Sequence, residues 1–122
     1  MTIARQTLGI YGEDLACREL ERRGHAIVSR RYRTRHGELD IVSRDGRTTV
    51  FVEVKARDDG SFGDPSEAVT LQKQQKLVAM AIDYVARHHL EHSPCRFDVV
   101  AVETALDPPR VTVFEDAFRP GW

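Results

Sequence analysis

Glu38, Asp40, Glu53 and Lys55 lie within one stretch, Gly37–Arg57, that reads GELDIVSRDGRTTVFVEVKAR. Carboxylate oxygens gathered at one point suit a hard divalent cation, and an ammonium beside them suits a polarised water or a phosphate oxygen. These residues are separated in the chain, so their chemistry depends on a backbone that folds them onto each other. Both arms of the stretch alternate as half-buried strands do. Leu39, Ile41 and Ser43 oppose Glu38, Asp40 and Val42 in the first arm, and Val50, Val52 and Val54 oppose Phe51, Glu53 and Lys55 in the second.

Asp45-Gly46 between the arms is a short hairpin signal. A loop centred on it pairs Arg44 with Arg47, Ile41 with Val50, Asp40 with Phe51 and Glu38 with Glu53. That register predicts an apolar side of Leu39, Ile41, Val50 and Val52 and a reverse side of Glu38, Asp40, Glu53 and Lys55. Cross-strand spacing then sets the charged groups within roughly 5–8 Å of one another, with Asp40 diagonal to Glu53. Like charges at that range persist only if a proton, a cation or solvent relieves them.

GELDIV followed by FVEVK resembles the D…E-x-K signature of the restriction-endonuclease-like (PD-(D/E)xK) nuclease superfamily. Together with GIYGEDLA, FGDP, QKQQK and CRFDVVAV, in that order, the pattern is similar to the YraN-like family of small bacterial proteins, and it covers most of the chain. Archaeal Holliday-junction resolvases carry a comparable early glutamate before the same carboxylate arrangement. The resemblance implies metal-dependent hydrolysis of phosphodiester bonds in DNA, including branched recombination and repair intermediates. Mg²⁺ or Mn²⁺ would be held by Asp40, Glu53 and the backbone carbonyl of Val54, with Glu13 completing the site. Lys55 would orient the attacking water, and Glu38 would act from further out. A homodimer is one assembly that cutting both strands would use. The alternative is a module on the same scaffold that binds nucleic acid or protein without cleaving, since sites and not folds carry function. A third reading has the acids merely paired with arginines.

Composition bounds these readings. With 122 residues and 41% hydrophobic content the chain predicts one globular domain. No apolar run approaches the ~18 residues of a membrane span, and the start has no signal-peptide core, so a cytoplasmic location is expected. Cys17 and Cys95 have no zinc-finger spacing and read as small buried residues. His88, His89 and His92 read as helix C-terminal cations rather than ligands. Net charge is −1, yet Arg22–His36 carries six arginines and no acid. Arg30, Arg31, Arg33 and Arg35 from that block are candidate phosphate contacts, or else a solvated face paired with helix acids. Lys73 is a further candidate contact, unless its stem only snorkels past the core.

The elements that must position these groups follow from periodicity. A helix is predicted over Gln6–Arg23, ended by Gly24, with Glu13 on the side of Gly9, Ala16 and Leu20. Glu13 there is either marginal and solvated or aimed at the site. His25–Tyr32 gives a first strand and the two arms give the next two. Phe62-Gly63-Asp64-Pro65 is a connector or a groove edge, with Asp64 a helix cap, Pro65 at the first helical position and Glu67 in the first turn. A helix over Thr70–His89 shows a stripe of Leu77, Val78, Ala81, Ile82, Tyr84 and Val85. Arg96–Glu103 and Val111–Phe114 are the last strands, with Asp98 structural and paired to an arginine such as Arg96, and Phe118 and Trp122 packing the tail. The order helix, three strands, helix, two strands requires a crossover, so a single α/β domain with a mixed five-stranded sheet flanked by helices is expected, similar to the restriction-endonuclease-like core.

Overall fold

The computed structural model describes residues 3–59 and 69–121. Helix α1 spans Ile3–Arg22, and strands β1 (Ala26–Thr34), β2 (Gly37–Asp45) and β3 (Thr48–Arg57) follow. Helix α2 (Leu71–Arg87) then leads to β4 (Cys95–Glu103) and β5 (Arg110–Phe114). The five strands form one sheet in the order β1-β2-β3-β4-β5. Only β3 and β4 are parallel, because α2 carries the chain across between them. This is the mixed α/β arrangement expected from the order of elements. The readings placed on Phe62-Gly63-Asp64-Pro65, Glu67 and Trp122 lie outside the described residues.

Each sheet face is covered by one helix. On one side Ala16, Cys17 and Leu20 of α1 pack on Ile41, Val50, Val52, Val100 and Val102. On the other, Leu77, Met80, Ala81 and Tyr84 of α2 pack on Leu39, Val42, Phe51, Phe97 and Val99. Full burial of a side chain of this size contributes about 1.5–3 kcal/mol. Aromatic rings run across the second layer, Tyr32 to Tyr84 at 4.9 Å, Phe51 to Tyr84 at 5.6 Å and Phe97 to Phe118 at 4.8 Å. Phe118 thus holds the C-terminal segment down as predicted. Ile82 departs from its predicted stripe and is 52% exposed.

Two details of the central hairpin correct the sequence reading. The turn is Gly46-Arg47, flanked by paired Asp45 and Thr48, so every pair is shifted by two positions: Ile41 faces Val52 and Val42 faces Phe51. Gly46 has φ +61, and glycine at the first central position suits a two-residue hairpin turn, which pulls the turn one residue along the chain. A slip of two preserves the side each residue faces. The second correction concerns those sides. Val42 and Phe51, expected on the polar reverse, are buried under α2, because central strands of a doubly covered sheet have no solvated face. Leu39 joins them instead of Ile41.

Candidate active site

The displacement of Leu39 explains how Asp40 comes to its position. Arg31, in the middle of β1, has φ +54. Before it, Arg30 reaches Asp14 on α1, and after it Tyr32 packs on Tyr84 of α2, so residues two apart point to opposite layers. The paired strand does likewise, with Ile41 opposite Arg30 in the α1 layer and Leu39 opposite Tyr32 in the α2 layer. Asp40 sits at this crossing. Strand pairing with β3 ends at Ile41 and Val52, and beyond it the Val54 backbone N–H donates to Asp40 Oδ2 at 2.9 Å.

The slipped register brings Asp40 level with Glu53 rather than diagonal to it, and the two carboxyl groups line the same cavity as close neighbours. Burial, followed by the charge of Glu53, pushes the Asp40 carboxyl up from its ordinary value to about 7, against the lowering effect of the Val54 N–H. Glu53 is buried and accepts from Lys73 Nζ at 3.2 Å. Lys73 in turn lies beside Lys55. Burial opposes the charge on Lys73, but the attraction of Glu53 outweighs it and holds its ammonium above the usual lysine range. Lys55 is displaced in the opposite sense, by burial first and by the neighbouring Lys73 second. The result is a chain of two carboxyls and two amines lining an open cavity of about 410 Å³, with Glu13 and Gly9 of α1 on its other wall.

Gly12 sets the approach of that wall. A Cβ at this position would stand 2.6 Å from the Cβ of Ala56 on β3, so only glycine lets α1 lie this close to the strand carrying Glu53 and Lys55. Glu13, next along the helix, lines the cavity while bound to Arg31 Nε at 3.1 Å and Arg30 at 3.5 Å. Arg30 also pairs with Asp14 at 2.9 Å. These two arginines therefore take the paired, helix-facing role. Glu38 is not in the cavity: it is exposed and pairs with Arg33 at 2.8 Å, because it lies at the hairpin end beyond the crossing. Arg35 is exposed at the β1–β2 turn.

Among the described residues no three His, Cys, Asp or Glu side chains converge as a ready-made metal cluster. What the site offers is two adjacent carboxylates and the carbonyl of Val54, an all-oxygen donor set. Such a set fits Mg²⁺ or Mn²⁺, hard ions that use one or two carboxylates and keep bound water. Asp98 is structural as predicted, buried and accepting from Arg96 at 2.9 and 3.0 Å and from the Asp116 N–H at 2.9 Å. His88 lies tilted against Tyr84 with ring centroids 4.1 Å apart, in keeping with a packing role.

Lys73 as the partner of Glu53 was not foreseen. Its signal was available: a lysine in the first turn of α2 meets the positive end of the helix dipole, and no acid in that turn offsets it. A cation retained there points to an acid from elsewhere in the fold. Thr70 caps the turn, accepting from the Lys73 N–H at 3.2 Å, and so fixes where the side chain begins.

An α/β domain with a paired-carboxyl, paired-amine groove at the end of its central hairpin is thus defined. Residues 12–102, which span that hairpin and Lys73, match the uncharacterised protein family UPF0102, and the chain belongs to this family. It is 45% identical to a UPF0102 protein of Syntrophotalea carbinolica over the whole of both chains. A UPF0102 protein of Anaeromyxobacter dehalogenans is 46% identical, over 96% of this chain and 90% of that protein. One of Dehalococcoides mccartyi is 38% identical over 96% and 97% respectively. Among the described residues no helix is long and apolar enough to cross a membrane.

Proposed function

We propose that this protein is a metal-dependent endonuclease that hydrolyses phosphodiester bonds in DNA, with branched intermediates of repair and recombination among its substrates. The observation that carries this reading is the adjacent Asp40–Glu53 pair, lining an open cavity and flanked by Lys55 and Lys73. Asp40, Glu53 and the Val54 carbonyl would hold Mg²⁺ or Mn²⁺, which when bound supplies a water of lowered pKa and draws charge from the phosphoryl oxygens. Bringing the two carboxylates together costs repulsion that a divalent cation offsets.

The protein's own groups do the rest. Lys55, whose ammonium is weakened by burial and by Lys73, is placed to hold a phosphate oxygen and to exchange a proton with the attacking water. Lys73 holds Glu53 in place from α2. The Val54 N–H fixes the Asp40 oxygen that faces β3, leaving the other for the cavity. Glu13, anchored by Arg30 and Arg31, acts through water from the opposite wall.

The decisive experiment incubates labelled linear, flapped and four-way DNAs with the protein and Mn²⁺, beside Asp40→Asn and Lys55→Ala. Loss of a positioned electrostatic group of the Lys55 type costs ~10²–10³ in rate. Cutting by Asp40→Asn at the wild-type rate would refute the assignment. A second reading, binding without cleavage, is favoured by one observation: Glu13 is already neutralised by two arginines and so does not join Asp40 and Glu53 as a third acid. Protection of labelled DNA without any product, with every metal tried, would establish that reading instead.

A further inference from the structure

We infer that a row of cations along α2 and the β1–β2 turn, comprising Lys73, Lys76 and Arg35, is the track along which one DNA strand leaves the acid pair. This rests on the phosphodiester reading above and adds to it the path and class of the substrate, a single-stranded segment. Two contacts fix the row. Lys73 touches Glu53 at 3.2 Å, and Lys76, three residues on along the same side of α2, lies over Gly37 at the start of β2. A Cβ at Gly37 would stand 3.0 Å from Lys76 Cε, and Gly37 has φ +132, so a bare glycine both makes the turn and leaves room for the lysine arm. The first turns of α2 therefore run beside β2 from Asp40 to Gly37, about 10 Å at strand spacing.

Along that path the cations are free at its far end. Lys76 and Arg35 are exposed and, among the described residues, neither takes part in an ion pair, whereas Arg30, Arg31 and Arg33 are bound to Glu13, Asp14 and Glu38. What remains is one row and not two. A length of about 10 Å accommodates two to three nucleotides of one strand, at ~3.4 Å of axis per nucleotide in a duplex and more when extended.

The test measures binding without turnover: anisotropy of labelled single strands from dinucleotide to twelve-mer in EDTA at several salt concentrations, for wild type, Lys76→Ala, Arg35→Ala and Arg47→Ala. Arg47, exposed at the opposite turn of the hairpin, is the control. Each track substitution is expected to lower the salt slope by ~0.7 and weaken twelve-mer binding about five-fold at 0.1 M salt. The effect should vanish for the dinucleotide, whose single phosphodiester group sits at the acid pair and leaves none for the Gly37 end, and Arg47→Ala should match wild type. Circular dichroism and melting of the exposed-site variants should be unchanged. If wild type binds and cuts while both variants bind as wild type does, the track is wrong and the nuclease reading stands. If the variants bind weakly while no metal supports cutting, the track stands and the nuclease reading falls.

Discussion

Replacing Asp40 with asparagine separates the cost of its charge from the rest of the fold. The side chain keeps its shape and still accepts from the Val54 N–H, so only the charge is lost. Asp40 is shifted from 3.8 to about 7 by burial and by Glu53, so the folded protein binds this proton more tightly than the unfolded chain does. Its contribution to stability is therefore complete below pH ~4 and is lost as pH rises through 7. Three units at 1.36 kcal/mol each set a ceiling of about 4 kcal/mol. Because the cavity opens to water and Lys73 stands nearby, the working expectation is about 1–2 kcal/mol, or roughly 4–8 °C in melting temperature for a domain of this size. Urea unfolding of both proteins in EDTA from pH 4.5 to 8.5 should show similar stability at the acid end and a growing advantage for Asp40→Asn toward pH 8. An advantage that does not change with pH, or a variant less stable than wild type at pH 8, would refute the strained-pair account.

In differential scanning fluorimetry, Mn²⁺ at a hundred times its Kd should stabilise the wild type by about 2.7 kcal/mol, and the gain should shrink sharply in Asp40→Asn and Glu53→Gln. Gly12→Val should cost ~1–3 kcal/mol in urea unfolding by forcing α1 off Ala56, and Ala56→Gly should recover part of it; full stability in Gly12→Val would contradict the contact. Asp98→Ala leaves the Asp116 N–H unpaired and removes the buried partner of Arg96, which keeps Asp45 and Glu115, and should cost ~1–3 kcal/mol, seen as an earlier urea midpoint, with Asp98→Asn milder. Lys55→Ala should leave urea stability within about 1 kcal/mol of wild type, because it removes an amine held there against burial.

Element order, the sheet and the Asp40–Glu53 pairing were legible because alternation and helical period are local properties, and because an even slip in register leaves facing unchanged. The acid pair therefore survived a misplaced turn. Glu38 was misjudged for a related reason: alternation assumes an unbroken strand, and the left-handed residue that breaks it is Arg31, on a different strand and of a type that rarely adopts φ +54. For Arg30 and Arg31 the sequence leaves phosphate contact and pairing with helix acids both open, and α1 laid against them decides it, since ion pairs between distant segments leave no trace in spacing. Lys73 was hidden in the same way, although its unfavourable place at a helix start marked it. Gly12 was visible only as one more helical glycine, and its meaning lies wholly in the nearness of Ala56.

The acid pair resides on a single hairpin with a two-residue turn, while the lysine that answers it belongs to α2, the crossover helix that follows. During folding the hairpin can close early, as short loops do within microseconds, and it then carries two facing acids with only Lys55 beside them until α2 brings Lys73. Refolding should consequently be faster in weak acid than at pH 8, with docking of the second helix as the step that discharges the repulsion. The feature that equips the groove for chemistry is thus also a brake on its assembly.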